Sequence, residues 1–354
     1  TGGHLFPAEA LSHALHARGA RVVLMTDTRA AAYAGSFPAE AVHAVPAATP
    51  SGRSPLKMAG AVLKLAQGTI AARSIVKRVK PTVLVGFGGY PTVPPVLGAS
   101  LAGVRTVIHE QNAVMGRANR FLAGRATLIA TGFAEVGGIA GALQDKCRHV
   151  GNPVRPAVLA AAGQAYDVPG EGPIRLLVFG GSQGARVMAD IVPPAVELLT
   201  EAERGRLAIV QQARAEDEGR VRAVYDRLSI QATISPFFKD LPAQMAASHL
   251  VIGRSGASTV AELTVIGRPA LLVPLPGSLD QDQAANAAFL EKAGGAKRIL
   301  QPDFTPQRLA AELSALLARP ADLTAMAANA KSAGIPDAAD RLADLVIATA
   351  HSQN

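Results

Sequence analysis

Short apolar runs rich in β-branched residues alternate with Ala-rich stretches of helical period along most of this 354-residue chain. The first series is RVVLM (Arg21–Met25), TVLVG (Thr82–Gly86), TVIHE (Thr106–Glu110) and TLIAT (Thr127–Thr131). The second is IRLLVFGG (Ile174–Gly181), LAIVQQ (Leu207–Gln212), ATISPF (Ala232–Phe237), HLVIG (His249–Gly253) and ALLVPLP (Ala270–Pro276). Continuous apolar runs separated by helices read as parallel strands covered on both faces. The Gly- and Pro-rich stretch GNPVRPAVLAAAGQAYDVPGEGP, from Gly151 to Pro173, reads as the hinge between two such halves. In open sheets of this kind ligands bind off the carboxyl ends of the strands, so two such edges can face one cleft. At the start, Leu5, Ala8, Leu11, Leu15 and Ala17 recur at helical spacing behind Gly2 and Gly3. A glycine turn feeding a helix normally follows a buried strand, so the chain reads as opening inside such a loop with that strand missing. Loss of a central strand would expose two ladder edges, and marginal stability is the expectation. A last helix is expected around 337–350, and its pattern assigns it to neither half.

Composition narrows the partners. Hydrophobic residues make up 49% and charged residues 18%, enough for two sizeable cores, while aromatics are only 4% with no Trp. Scarce aromatics argue against base stacking on single-stranded nucleic acid. The net charge of +8 points to anionic partners such as nucleotides or an acidic membrane surface. A single cysteine, Cys147, excludes an intrachain disulfide framework and fits a reducing compartment. No apolar run approaches the roughly 20 residues that span a bilayer.

Candidate chemistry gathers where the strands end. Glycine clusters occur at TGGH (Thr1–His4), GFGGY (Gly86–Tyr90) and GGSQGAR (Gly180–Arg186). None is a P-loop and none has the G-x-G-x-x-G spacing of an ordinary NAD site. In the third, LLVF runs straight into two glycines and places Ser182 at an expected helix start, where unpaired N–H groups attract a diphosphate. Ser182 is equally suited to cap that helix. In RSGASTVAEL, Glu262 follows Thr259 by three residues. That spacing fits a capping box as well as a carboxylate that accepts both hydroxyls of a ribose. Asp280-Gln281-Asp282 is a three-residue D-x-D match, more often solvated than metal-binding. HEQN (His109–Asn112) lacks the second His of a zinc motif; Asn112 could bond a hydroxylated ligand or tie down its own loop.

Taken together, TGGHLFPAEAL, VGFGGYPTVPP, IHEQNAVMGRANR, VGNPVR, VFGGSQGAR, FFKDLPAQMAASHLVIGRSGASTVAEL, GRPALLVPLP, DQAANA and AGGAKRI resemble the MurG family of N-acetylglucosaminyltransferases over the whole chain and in the family's order. The resemblance implies a glycosyltransferase B fold: α/β, with two Rossmann-like doubly wound parallel-sheet domains facing a central cleft. It implies an acceptor- and membrane-facing domain over 1–150 and a UDP-GlcNAc-binding domain over 155–335. The last helix, from about Pro336, would return to the first domain. By matching motif, Ser182 would touch the diphosphate, Arg155 would sit near the phosphates, and Phe238 would present its backbone to the uracil. Glu262 would take the ribose hydroxyls, and Ala257, Ser258, Thr259, Val260 and Ala261 would line the nucleotide. Gln283, Asn112 and the Thr1-Gly2-Gly3 backbone would face the N-acetylglucosamine or the acceptor. This chain departs from the family where Asp282-Gln283 replaces two adjacent glutamines and Ala284-Ala285 replace common aromatics.

The implied reaction moves N-acetylglucosamine from UDP-GlcNAc to the 4-hydroxyl of the muramoyl sugar in lipid I, giving lipid II, by one inverting displacement. It requires no cofactor and no metal: loop and helix N–H groups can stabilise departing UDP. His4 is the candidate base, since imidazole ordinarily titrates near neutrality; capping or packing at its helix start is the alternative. The implied acceptor is undecaprenyl-linked, which would place the protein at the cytoplasmic face of the bacterial inner membrane, without nucleic acid as an expected partner. Arg53–Lys80 carries seven Lys/Arg and no Asp/Glu, with Leu56, Val62, Leu63, Leu65, Ile70, Ile75 and Val76 interspersed. Such a segment suits an anionic lipid surface or an ordinary helix with a solvated basic face. Competing readings are a diacylglycerol glycosyltransferase and a nucleotide-sugar-binding protein without turnover.

Overall fold

The computed structural model describes residues 2–27, 35–48, 55–170, 172–181, 184–277 and 282–352. The chain divides into two compact units, 1–155 with 337–354, and 156–336. The boundary falls between Arg155 and Pro156, so Arg155 belongs to the first unit.

The first unit runs α1 (Gly2–Ala17), β1 (Val23–Thr26), β2 (Ala41–Ala44), α2 (Pro55–Val79), β3 (Val83–Gly86), α3 (Val93–Ser100), β4 (Arg105–Glu110), α4 (Arg117–Ala123), β5 (Leu128–Thr131) and β6 (Cys147–His149). Its strands pair in parallel as β1-β2 and as a four-stranded sheet β3-β4-β5-β6. Val93, Val96, Ile108, Met115, Leu122 and Ile129 pack one side of the larger sheet. The other side is closed by α1 and by a helix from the far end of the chain, Ala338–His351: Leu342, Ala343 and Val346 pack with Leu11, Phe87 and Val107. Arg18 anchors that helix through Asp340 (2.9 Å) and Asp344 (3.1 Å), and Arg105 donates to the carbonyls of Thr349 and Ala350 near its end. Cationic donors suit those terminal carbonyls, which lack intrahelical partners.

The second unit contains α5 (Pro156–Ala162), β7 (Ile174–Phe179), α6 (Arg186–Glu197), α7 (Glu201–Arg204), β8 (Leu207–Gln212), α8 (Ala215–Arg227), β9 (Gln231–Ser235), α9 (Leu241–Ala247), β10 (Leu250–Gly253), α10 (Ala257–Ile266), β11 (Ala270–Leu272), α11 (Asp282–Lys292), β12 (Ala296–Arg298), α12 (Pro306–Ala318) and α13 (Pro320–Ser332). Its six strands are all parallel in the order β12-β11-β10-β7-β8-β9. The chain enters at β7, proceeds outward to β9, and returns to the other side of β7 with β10. The carboxyl ends of β7 and β10 therefore form the topological switch point, where sheets of this kind bind ligands. The core joins Leu176, Val178, Ile209 and Ile252 of the sheet to Met188, Val192, Leu309, Leu313 and Leu316 of the covering helices.

The boundary between the units lies within the Gly151–Pro173 stretch read as the hinge, and that stretch also contains α5, which opens on Pro156 and buries Val158. Gln164 and Ala165 then accept hydrogen bonds from the buried Arg268. Proline at a first helical position loses no intrahelical bond, so a Pro here starts a helix rather than breaking one. Gly2 and Gly3 are not a loop but the first residues of α1. Behind β7, α6 starts at Arg186 with Ala185 as its N-cap.

Candidate functional site

In the second unit the loops at the switch point are short and tightly built. Behind β7, Gly181 (φ 94°) and Gly184 (φ 68°) hold left-handed conformations that other residues rarely adopt. Gly180 is pressed against the start of α6, since a Cβ there would lie 2.1 Å from the Ala185 nitrogen. The positive end of α6 is thereby brought to the edge of the sheet. Ser182, Thr1, Asp280 and Gln281 lie outside the described residues.

Behind β10, Gly256 is the N-cap of α10 in an extended conformation, with no side chain capping the helix. Thr259 is therefore the third helical residue rather than the cap, and the Thr259–Glu262 capping box does not form. Ala257 to Glu262 make up the first turn and a half of α10. Glu262 is 6% exposed. The Ser258 hydroxyl is buried with no hydrogen-bond partner among the described residues. The turn before α10 is tied to the start of α11: Ser255 Oγ donates to the Gln283 carbonyl at 2.8 Å, and Asn286 Nδ2 donates to the Ser255 carbonyl at 3.1 Å. Gln283 Oε1 accepts from the Leu275 N–H at 3.0 Å. Arg254 donates to the carbonyls of Val273 and Pro274 and to Gln301, fixing the loop behind β11. Phe238 is half-buried in the loop between β9 and α9. Thus Phe238, Ala257–Glu262 and Gln283 all lie at the carboxyl edge of one sheet. Sequence reasoning missed Ser255, Asn286 and Gln212 as parts of this frame; only their position at strand or helix ends could have signalled it.

The remaining candidates belong to the first unit. His4, in the first turn of α1, stands against the glycine turn behind β3: a Cβ at Gly89 would come within 3.2 Å of its Nε2 and Cδ2. Gly88 and Gly89 both have positive φ, so the backbone can approach closely there. Arg155 stacks its guanidinium over the Phe6 ring of α1, 4.0 Å from the centroid. Asn112 is occupied locally, its backbone N–H and Nδ2 both donating to Glu110 Oε1. Glu110 also accepts from the Gly116 N–H (3.0 Å) and Asn119 Nδ2 (2.8 Å). Burial pushes the Glu110 carboxyl pKa up, and these bonds pull against that shift. HEQN thus builds and braces the turn behind β4, with His109 and Glu110 directed inward.

His109 is fully buried and its Nε2 donates to the Gly151 carbonyl at 3.0 Å. Nδ1 has no hydrogen-bond partner among the described residues, so protonation would place a charge in a dry interior. Desolvation lowers its pKa from 6.5 to about 4, partly offset by the Gly151 bond. Between those values the unfolded chain binds more protons, so this contribution to stability is present above pH 6.5 and is lost as pH falls toward 4. Glu110, with its raised pKa, works in the opposite sense, so His109 is isolated by comparison with His109→Gln. On going from pH 7 to pH 5, wild type is expected to lose about 2 kcal/mol more than the variant in denaturant titrations. Equal losses would show that His109 is not the source.

Among the described residues no group of His, Cys, Asp and Glu side chains is placed to hold a metal ion. At its carboxyl edge the second unit brings together two helix N-termini, a glycine-lined turn and the buried Glu262 carboxylate. Residues 1–131 match the glycosyltransferase family 28 N-terminal domain and residues 175–342 match its C-terminal domain, which makes the chain a glycosyltransferase. The chain belongs to this family, and its two parallel-sheet α/β domains are of the glycosyltransferase B type. The UDP-N-acetylglucosamine–N-acetylmuramyl-(pentapeptide) pyrophosphoryl-undecaprenol N-acetylglucosamine transferase of Methylobacterium nodulans is 61% identical over 353 residues, covering 99% of this chain and 95% of that protein. The transferase of the same name from Rhodopseudomonas palustris strain BisB18 is 59% identical over 351 residues, covering 99% and 94%. Among solved structures, Acinetobacter baumannii MurG matches with a TM-score of 0.79 at 28% identity, over 98% of this chain and 96% of that one.

Proposed function

We propose that this protein transfers N-acetylglucosamine from UDP-N-acetylglucosamine to the N-acetylmuramyl sugar of an undecaprenyl pyrophosphoryl pentapeptide, converting lipid I to lipid II. The observation that carries this is 61% identity to a transferase of that name over 99% of the chain. The donor sugar is α-linked and the product β-1,4-linked, so a single displacement inverts the centre. The bond from the anomeric carbon to the diphosphate breaks as the acceptor oxygen bonds, and the acceptor proton passes to a base.

The donor assignment rests on the switch point of the second unit. UDP lies with its diphosphate at the positive ends of α6 and α10, where Ser182 and the Ser258 hydroxyl supply further donors. Fixed dipoles of this kind stabilise the departing charge without a metal. Glu262 accepts the ribose hydroxyls, the Phe238 backbone meets the uracil, and Gln283 stands on the sugar side. The family motif assigns Arg155 to the phosphates, and within the first unit its guanidinium is seated over Phe6. His4 is the base, and the family motif assigns Asn112 and the Thr1-Gly2-Gly3 backbone to the N-acetylglucosamine or acceptor side.

UDP release with UDP-GlcNAc and a lipid I analogue, set against other UDP-sugars and against diacylglycerol, tests the reading. Release is expected only with the first pair. Turnover with diacylglycerol would replace the acceptor, and turnover with another UDP-sugar would replace the donor.

Membrane attachment is a second part of the proposal. No helix among the described residues is long and apolar enough to cross a membrane. In α2, Ile75 and Val76 are buried and Leu65 packs on the core, so these three do not serve a lipid surface. Met58, Val62, Leu63 and Ile70 (72% exposed) do lie on the outer face, beside the exposed Lys64, Arg73 and Lys77. An apolar strip flanked by cations suits an anionic lipid interface. Replacing Lys64, Arg73 and Lys77 together with Gln is expected to weaken binding to anionic vesicles about a hundredfold, at roughly 1 kcal/mol per cation. Co-sedimentation indifferent to these changes and to anionic lipid content would defeat the attachment.

A further inference from the structure

Gln212, the last residue of β8, is 5% exposed, and both ends of its amide are engaged. Its Oε1 accepts the Gly180 N–H at 2.9 Å, and its Nε2 donates to the Pro236 carbonyl at 3.1 Å. In the sheet β8 lies between β7 and β9. Its pairing ends at Val178–Gln211 on one side and Gln212–Ser235 on the other. A single side chain therefore carries the hydrogen bonding beyond the strands and into the loops on both flanks.

On the β7 side the bond fixes more than one amide. Gly180 is packed against the Ala185 nitrogen, so its position sets where the first turn of α6 begins. On the β9 side, Ser235 Oγ donates to the Phe237 carbonyl at 2.9 Å, so the segment from Ser235 to Phe237 is already folded on itself. Holding Pro236 therefore also constrains Phe238, two residues further on. We infer that Gln212 is a positioning residue that sets the spacing between the diphosphate loop and the uracil loop of the nucleotide site. This rests on the donor site proposed above. The chemistry is specific to an amide of this length: Glu keeps the acceptor for Gly180 but lacks the N–H for Pro236, and Met has the same reach with neither group.

The test measures UDP and uridine binding by calorimetry, and steady-state kinetics, for wild type and Gln212→Met. With both bonds gone, Kd for UDP and for uridine are expected to rise about tenfold, and KM for UDP-GlcNAc likewise. The effect on kcat is expected to stay within about threefold, because the bond acts on binding of donor and transition state alike. A role confined to ending the sheet would lower the melting temperature and leave both Kd values within about threefold of wild type; that result overturns the proposal. Should Gln212→Met fail to fold, Gln212→Glu with uncharged uridine decides the same question, since phosphate repulsion is then absent. Loss of at least about threefold in uridine affinity supports the spacer role, and a smaller loss overturns it. Wild-type protein that binds neither UDP nor uridine would instead remove the donor site itself, and the inference with it.

Discussion

Glu262→Ala is expected to lower kcat/KM for UDP-GlcNAc by a factor on the order of a hundred to ten thousand while leaving the protein folded. The physical basis is the placement of the carboxylate. It projects from the second turn of α10, just past the switch point, and is almost wholly screened from water. It plays no part in capping that helix, because Gly256 occupies the cap and no side chain serves it. An acidic side chain held in such a setting suits a ligand that brings paired hydroxyl donors, and hydrogen bonds to a charged acceptor contribute about 1.5–3 kcal/mol each. Two such bonds to a ribose account for the expected range. The signature that separates ribose recognition from general damage is discrimination: wild type should prefer UDP to 2′-deoxy-UDP, and the variant should hardly distinguish them. A folded Glu262→Ala protein whose preference is undiminished would remove this residue from the nucleotide site.

Most of the fold is legible in the sequence because its central strands are buried on both faces. β7, β8 and β10 lie inside the second sheet and β4 and β5 inside the first, and each carries a run of consecutive apolar residues such as LLVF in β7, LAIV in β8 and VI in β4. The strands that escape notice are β2, β6 and β12, read as AVHA, CRH and AKR. Each ends a sheet, where one flank needs no partner and polar residues are tolerated, so no apolar run announces it. The site is legible unevenly for a related reason. Glycine turns leave a mark in the sequence because only Gly accommodates their backbone, as at Gly88, Gly89, Gly181 and Gly184. Glu262 could be read two ways from spacing, and the choice between cap and ligand depended on whether α10 begins at Gly256 or at Thr259. Gln212 carries no local mark at all. Its meaning comes from neighbours 32 and 24 residues away, which only the parallel register brings to its two sides.

His4→Ala is expected to reduce kcat by about a hundred- to ten-thousandfold, the range usual for loss of a general base, with UDP affinity unchanged. The imidazole sits in the first turn of α1 at the carboxyl edge of the four-stranded sheet, against the Gly88–Gly89 turn. That edge is where an open parallel sheet presents ligands, and a base must stand within hydrogen-bond reach of the hydroxyl it deprotonates. The glycines matter to its seating: at Gly89 a methyl group would fall within 3.2 Å of the ring, and the backbone there has φ 70°. Gly89→Ala should therefore depress kcat in the same direction through displacement of the ring, without removing the imidazole. A role limited to packing α1 predicts a different pattern, in which His4→Gln, similar in reach and polarity, restores turnover. Proton transfer predicts that Gln fails as badly as Ala while both proteins bind UDP and melt like wild type. Near-normal kcat in either folded His4 variant would assign the proton to another group.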